Sequence, residues 1–224
     1  IQTGPTQAEI DKNIVQTVSG VISSLESTSS KAADLAQWET ITGNPGGWKD
    51  SLKRLEAATP SSVQAVARKW LTRGSYPLNV LPFGDPAASG QPVDRSKMPP
   101  PGSIADAAFP AYQTATLSNG VKVMLVERHD VPQVSVSMLL DTGYPADQST
   151  IKDGLSGLTA NMLDEGTTTR SALQIADELD RLGGYVGAGG GGENSTVEFS
   201  ALNPTLDQVM AIWADVLRNP AFKE

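Results

Sequence analysis

The sequence predicts an α+β fold in which helices pack on one face of a largely antiparallel sheet. Two observations support this prediction. After residue 112, strand and helix patterns follow in the order β-β-β-α-α-β-α, and short turns join the first strands. Residues 1–84 instead contain helix patterns and one final strand, and a single strand needs a sheet to pair with. We therefore expect residues 1–84 to be the tail of a domain that began earlier.

The composition is that of a globular protein with a sizeable core. The 224 residues are 39% hydrophobic and 19% charged, and the formal net charge is −8. No Lys/Arg-rich run indicates nucleic-acid binding, and no apolar stretch reaches the roughly 20 residues that span a bilayer. Because the chain has no cysteine, it can form neither disulfides nor thiolate metal sites.

The first segment, residues 1–84, is predicted to consist of helices and a last strand. Thr6 and Glu9 form a capping box at the start of a long helix. Its apolar residues recur at helical spacing and predict a buried stripe of Ile10, Ile14, Val18, Val21 and Leu25. A loop is predicted at Asn44-Pro45-Gly46-Gly47.

A second strong helix pattern begins after Thr59, which we expect to cap the helix, with Pro60 at its first position. The apolar face that we expect in the core consists of Val63, Val66, Ala67, Trp70 and Leu71. The stretch YPLNVLPFG then predicts the final strand. Residues 85–111, rich in Pro, Gly, Ser and Ala, predict a linker at a domain boundary.

The last segment, residues 112–224, is predicted to begin the following domain. Asn119-Gly120 predicts a hairpin turn, and a strand is expected over residues 132–143. A helix is then expected from the capping box of Ser171 and Gln174 to the glycines at 183–184.

The chain then ends with a strand and a helix. The strand over residues 193–202 is expected to bury Val197, Phe199 and Ala201 on one face. Asn203 is expected to cap the final helix, with Pro204 inside its start. The predicted apolar stripe of this helix comprises Leu206, Met210, Trp213 and Leu217.

Between these elements, residues 153–169 read as a short helix that runs into a turn. Gly154 to Thr167 reads G-L-S-G-L-T-A-N-M-L-D-E-G-T. This resembles the pitrilysin/insulinase family of zinc peptidases, which includes the mitochondrial processing peptidases and in which the segment reads approximately G-L-A-H-x-x-E-H-M-x-F-x-G-T. The hairpin before it, the helix after it and the closing helices of residues 1–84 also resemble the family.

The resemblance implies that Gly157 and Asn161 replace two zinc-binding histidines and that Ala160 replaces the glutamate base. Positions 157 and 161 lie one helical turn apart, so two histidines there could share a metal. Gly157 offers no ligand atom, Ala160 no base, and Asn161 only a neutral amide oxygen. We therefore predict no catalytic residue, metal or cofactor in this chain.

Other candidate sites are weaker. His129, the only histidine, is expected in an exposed turn, and the adjacent Asp164 and Glu165 lack the spacing of a calcium loop. The glycine-rich stretch lacks the Lys-Ser/Thr of a phosphate loop, so we expect a flexible loop or a strand-edge segment there. The resemblance places it near a substrate cleft, so we take as the candidate substrate-binding loop Gly187, Gly189, Gly190, Gly191 and Gly192.

The functional prediction is a non-catalytic portion of a zinc-dependent metallopeptidase. The resemblance implies a catalytic half or subunit as the partner, which would hold the zinc, with this chain helping to enclose and bind a peptide. Two alternatives remain open: an active zinc endopeptidase whose motif lies upstream of residue 1, and a purely structural scaffold. Exposed strand edges predict a homo-oligomer or a domain swap. Resemblance to bacterial relatives implies a periplasmic location.

Overall fold

The computed structural model describes residues 2–72, 74–75, 77–79, 110–143, 147 and 153–222. The helices found there are α1 (Gln7–Ser24), α2 (Thr28–Thr42), α3 (Gly47–Glu56), α4 (Pro60–Leu71), α5 (Leu155–Asn161), α6 (Ala172–Leu182) and α7 (Leu206–Arg218). The strands are β1 (Gln113–Thr116), β2 (Lys122–Leu125), β3 (Gln133–Leu140), β4 (Tyr185–Gly191) and β5 (Asn194–Leu202). None of these helices, in the part of the chain that the structure describes, combines the length and hydrophobicity needed to cross a membrane.

The chain forms two compact units, residues 1–70 with 129–224, and residues 71–128. The larger unit contains an antiparallel sheet in the order β3-β5-β4. Val136 of β3 pairs with Phe199 of β5, and Ala188 of β4 pairs with Val197. The strand β4 was expected only as one of two alternatives, because its glycines carry no alternating apolar pattern. It forms where β5 supplies a hydrogen-bonding partner along its whole length.

The core of the larger unit lies between β5 and the helices α6 and α7. The strand β5 buries Val197, Phe199 and Ala201 on one face, as predicted. The buried cluster comprises Ile175, Leu179, Val186, Phe199, Ala201, Val209, Ile212 and Val216. Phe199 and Trp213 pack with ring centroids 5.3 Å apart. Helices packed against an antiparallel sheet confirm the predicted α+β class.

The final helix differs from the prediction in its start and in its buried face. Asn203 does not cap α7: residues 203–205 form a 3₁₀ turn, and no side chain caps the helix after it. The fully buried row is Val209, Ile212 and Val216. Leu206 and Trp213 of the predicted stripe are half-buried against this core, whereas Met210 is 40% exposed. Both rows have helical spacing, so only contact with β5 decides which one is buried.

The helix α1 packs against α6 in the same unit. Its capping box of Thr6 and Glu9 is present as predicted. Lys12 Nζ lies 3.2 Å from a carboxylate oxygen of Asp177 and 2.6 Å from one of Asp180. At the far end of α6, Ser19 Oγ donates to Gly183 O over 2.7 Å. The predicted linker lies almost entirely outside the described residues, so the division into two domains stays a prediction.

The apolar face of α4 is exposed, which contradicts its predicted place in the core. Val66 is 58% and Trp70 is 60% exposed, and Val63 and Leu71 are exposed as well. The predicted N-cap is present, since Ser62 N donates to Thr59 Oγ1 over 3.2 Å. Helical spacing identifies which side of α4 is apolar, but it cannot identify what covers that side. The predicted strand after α4 lies mostly outside the described residues, and residues 77–79 are not in a strand.

The smaller unit contains the predicted hairpin of β1 and β2. Ala115 pairs with Val123 around a turn in which Gly120 has a φ of 88°. The side chain of Asn119 accepts a hydrogen bond from Val121 N over 3.2 Å. The Asn-Gly turn is therefore confirmed, because only glycine adopts this φ without steric cost.

Candidate functional site

The short helix α5, which carries the three altered motif positions, is held at its start by Asp147. Gly154 precedes the helix with a φ of 85° and has no side chain that could cap it. The buried Asp147 carboxylate instead accepts hydrogen bonds from Gly154 N (2.9 Å), Ser156 N (2.8 Å) and Ser156 Oγ (3.0 Å). Sequence analysis missed this role. The signal that could have revealed it is an aspartate shortly before a helix that lacks its own cap.

One face of α5 lies directly on the backbone of β4. Ala160 is only 4% exposed. A Cβ atom placed on Gly190 would lie 2.9 Å from Gly157 Cα, 3.0 Å from Ala160 Cβ and 2.9 Å from Ser195 Oγ. These distances are shorter than normal carbon contacts, so position 190 accepts only glycine unless the helix moves. We call this contact of Gly157 and Ala160 with Gly190 the glycine contact.

The structure therefore brings the two predicted groups of site residues together. Gly157 and Ala160 meet Gly190, and a Cβ atom on Gly189 would lie 3.7 Å from Asn161 Oδ1. Asn161 is exposed, so its amide is accessible beside the strand.

The remaining candidate glycines lie along the same strand and its turn. Gly187 is buried next to the Tyr185 hydroxyl, Gly191 has open space where a side chain would stand, and Gly192 turns the chain toward β5 with a φ of 60°. The glycines at 187–191 thus belong to β4, so of the two forms expected for this stretch, a flexible loop or a strand-edge segment, the structure shows the strand. Within the described residues, β4 is an edge strand that pairs only with β5.

The residues of α5 do not fit a zinc ion. The positions that the family resemblance assigns to zinc ligands and base offer no side-chain atom at Gly157, a methyl group at Ala160 and an amide at Asn161. Among the described residues, no group of three or more His, Asp or Glu side chains could hold a metal. His129 is exposed before β3, as expected. Burial raises the pKa of Asp164, which follows α5 beside Glu165.

The turn after α5 is attached to α7 by a polar cluster that sequence analysis did not predict. The Asp215 carboxylate accepts hydrogen bonds from Thr167 Oγ1 and Thr169 Oγ1, each over 2.8 Å, and from Arg170 Nη1 over 2.6 Å. Asn219 Nδ2 donates to its other oxygen over 2.8 Å. The hydrogen bond from Asn219, followed by those from Thr167, Thr169 and Arg170, holds the pKa of Asp215 well below its ordinary value. We call these five residues the Asp215 cluster.

The Asp215 cluster fixes the segment that follows α5. The backbone supports it: Thr168 N donates to Asn219 O, and Ala221 N donates to Gly166 O, each over 2.9 Å. The helix α5 is therefore attached at both ends, by Asp147 before it and by Asp215 after it. A run of three threonines and an arginine after a helix stop was the available sequence signal, but its carboxylate partner lies 45 residues away from Arg170.

Comparison with known proteins gives one family and several relatives. The sequence model described as insulinase, peptidase family M16, matches residues 122–224. An uncharacterized zinc protease of Rickettsia felis is 31% identical over 113 residues, which are 50% of this chain and 27% of that protein. The mitochondrial-processing peptidase subunit alpha of Solanum tuberosum is 33% identical over 174 residues, 72% of this chain and 32% of that protein.

A solved structure described as a peptidase M16 inactive domain, from Pseudomonas fluorescens, aligns with a TM-score of 0.48 at 24% identity. The alignment covers 50% of this chain and 27% of that chain. The present chain thus spans about a third or less of the length of these relatives.

Proposed function

Residues 122–224 form a domain of the insulinase family, peptidase family M16, and from this we propose that the chain is a non-catalytic portion of a zinc-dependent metallopeptidase. The observation that carries the proposal is the glycine contact. The helix α5 packs on β4 through Gly157 and Ala160, which provide neither a metal ligand nor a base. The helix thus serves as a structural support beside the strand.

The function we assign to this chain is to bind an extended peptide along β4. An edge strand offers backbone N–H and C=O groups to a further strand, and strand addition is a common way to recognise extended peptides. Gly191, which has open space where a side chain would stand, leaves room for a second backbone to approach. Asn161, exposed above Gly189, provides an amide that can donate to or accept from such a peptide.

We propose that the partner is a catalytic peptidase half or subunit, which holds the zinc and its base. Two curated relatives are described as the alpha and beta subunits of the mitochondrial-processing peptidase, so a two-subunit arrangement exists among proteins similar to this chain. When bound in that partner, zinc would supply an activated water molecule for peptide hydrolysis. The residues of this chain would hold the peptide and limit access of water to it.

The test is a peptide-binding and cleavage assay on the whole chain. A fluorescently labelled extended peptide is titrated, and binding is followed by anisotropy. Gly191→Val places a branched side chain where the fold has open space, so it obstructs a docking peptide without disturbing α5. We expect its affinity to fall about tenfold, a loss of about 1.4 kcal/mol.

The matched control is Gly20→Ala in α1, where there is also open space but no sheet edge. This variant should bind the peptide as the parent chain does. Unchanged binding by Gly191→Val would contradict a role for β4. Stoichiometric zinc in the purified chain, measured by elemental analysis, or peptide cleavage by the chain alone would contradict the non-catalytic assignment.

A further inference from the structure

A cavity of about 350 Å³ lies among α1, α2 and α3, and no residue of α5 or β4 lines it. Its walls are mainly apolar: Leu25 of α1, Leu35 and Trp38 of α2, and Trp48 and Leu52 of α3. The volume lies at the lower end of the range found for small-molecule sites, about 300–1,000 Å³. The volume of the cavity and its two indole rings thus suit a ligand with a compact apolar group.

The cavity exists because α2 packs loosely. No residue of this helix is buried, although Leu35 and Trp38 both face the cavity. Leu35 remains 47% exposed, and Trp38 is half-buried. Burial of these side chains by a ligand would remove apolar surface from water, which favours binding by about 25 cal/mol per Å².

One cation and one anion line the cavity, Lys31 and Asp34. Asp34 already accepts a hydrogen bond from Ser24 Oγ over 3.0 Å. Lys31 is half-buried and forms no ion pair with any residue that the structure describes. Because Lys31 has no counterion among the described residues, whereas Asp34 already has a hydrogen-bond donor, we expect the cavity to favour an anion, and a carboxylate is the simplest group that would accept hydrogen bonds from Lys31.

We propose that this cavity binds a small apolar carboxylate, an aryl or medium-chain alkyl acid. The hydrocarbon part lies against Trp38 and Trp48, and the carboxylate pairs with Lys31. The site is separate from β4, so its occupation does not depend on peptide binding.

The experiment compares 4-phenylbutyrate with 4-phenylbutanol, and decanoate with decanol, by titration calorimetry on the whole chain. Each pair has one hydrocarbon body with and without the carboxylate. We expect each acid to bind about tenfold more tightly than its alcohol, as for one charge-assisted hydrogen bond in a partly buried site. Fluorescence of Trp38 and Trp48 should change on binding.

Two variants assign the effect to Lys31. Lys31→Gln keeps a polar side chain, one atom shorter, and removes its charge, so acid and alcohol should then bind equally. Lys53→Gln, on α3 but not lining the cavity, removes a charge from an exposed side chain and should preserve the preference for the acid. Circular dichroism confirms that each variant is folded.

The proposal is overturned if neither acid binds at millimolar concentration, or if acid and alcohol bind the parent chain equally. A preference for the acid that persists in Lys31→Gln would also overturn it, because the carboxylate would then be held elsewhere. A folded Lys31→Gln variant that retains alcohol binding and loses the preference supports it.

Discussion

Two helix-on-strand contacts within the same unit differ in what fills the space between the elements. Where α7 meets β5, large side chains such as Phe199 and Ile212 interlock. Where α5 meets β4, Gly157 Cα and Ala160 approach the backbone of Gly190 with no side chain between them. The first contact is stabilised by the burial of large apolar side chains. The second requires that no side chain stands between the helix and the backbone of the strand. They should therefore respond to mutation in opposite ways.

The largest effect is expected where volume is removed from the α7–β5 contact. Phe199→Ala should lower the free energy of unfolding by about 4 kcal/mol, because it leaves a cavity beside Trp213. Urea denaturation followed by circular dichroism measures this change. The control Leu173→Ala, at a position 83% exposed, should change stability by less than about 0.5 kcal/mol. Equal losses in the two variants would show that Phe199 is not part of a tight core.

A charge introduced at the glycine contact should have the next largest effect. Ala160→Glu places a carboxylate that has no partner against Gly190. It should lower the free energy of unfolding by about 3 kcal/mol. Thr159→Glu, next to it on the exposed side of α5, is the control and should be nearly neutral.

The same contact predicts that the zinc motif cannot simply be restored. The triple variant Gly157→His, Ala160→Glu, Asn161→His should bind no stoichiometric zinc, because the side chains added at 157 and 160 would meet the backbone of Gly190, and the described residues show no ready group of further metal ligands. Elemental analysis after dialysis measures the zinc content. One zinc per chain at unchanged stability would show that α5 can leave β4 without cost.

A single methyl group should be enough to distinguish tight from open positions along β4. Gly190→Ala should lower the free energy of unfolding by about 2 kcal/mol, because the added Cβ would overlap Gly157 and Ala160. Gly191→Ala adds the same atom one residue later, where there is open space, and should change stability by less than about 0.5 kcal/mol. Amide hydrogen exchange should report faster opening of α5 in Gly190→Ala alone. If both variants behave alike, the glycine contact is not tight.

The smallest effect concerns the Asp215 cluster, which connects the two regions. Because the pKa of Asp215 is lower in the folded chain than in the unfolded chain, its carboxylate stabilises the fold above the unfolded pKa, about 4. This contribution is lost as the pH falls through the folded pKa. Asp215→Asn should lower the free energy of unfolding by about 1.5 kcal/mol at pH 7. Below a pH of about 4, the stability of this variant should depend less on pH than that of the parent chain.

The control for this cluster is Glu198→Gln, which removes a carboxylate from the exposed face of β5. It should have little effect at pH 7. Thermal unfolding between pH 7 and pH 3 measures both variants. If the parent chain and the Asp215→Asn variant lose stability in parallel as the pH falls, Asp215 does not contribute to the dependence of stability on pH.

Much of the candidate site was predictable from single residues but not from their contacts. The altered positions Gly157, Ala160 and Asn161 were identified from the family outline, and the glycines of β4 were singled out as a candidate loop. Their packing against one another was not predicted, since the two sets lie about 30 residues apart in the chain and neither has a pattern that refers to the other. The role of Asp215 was missed for the same reason, since it lies 45 residues from Arg170. Asp147 was missed although it lies only seven residues before Gly154 and its signal is local.

The sequence alone determined the elements whose signals are local. The capping boxes at Thr6 and Ser171, the Asn119-Gly120 turn and the alternation along β5 all depend on residues within a few positions of one another. Tertiary structure alone decided that the glycines of 187–191 form a strand, that α7 buries Val209 and not Met210, and that the apolar face of α4 is exposed. Pairing and burial depend on partners distant along the chain, and a local pattern specifies a surface without specifying what it meets.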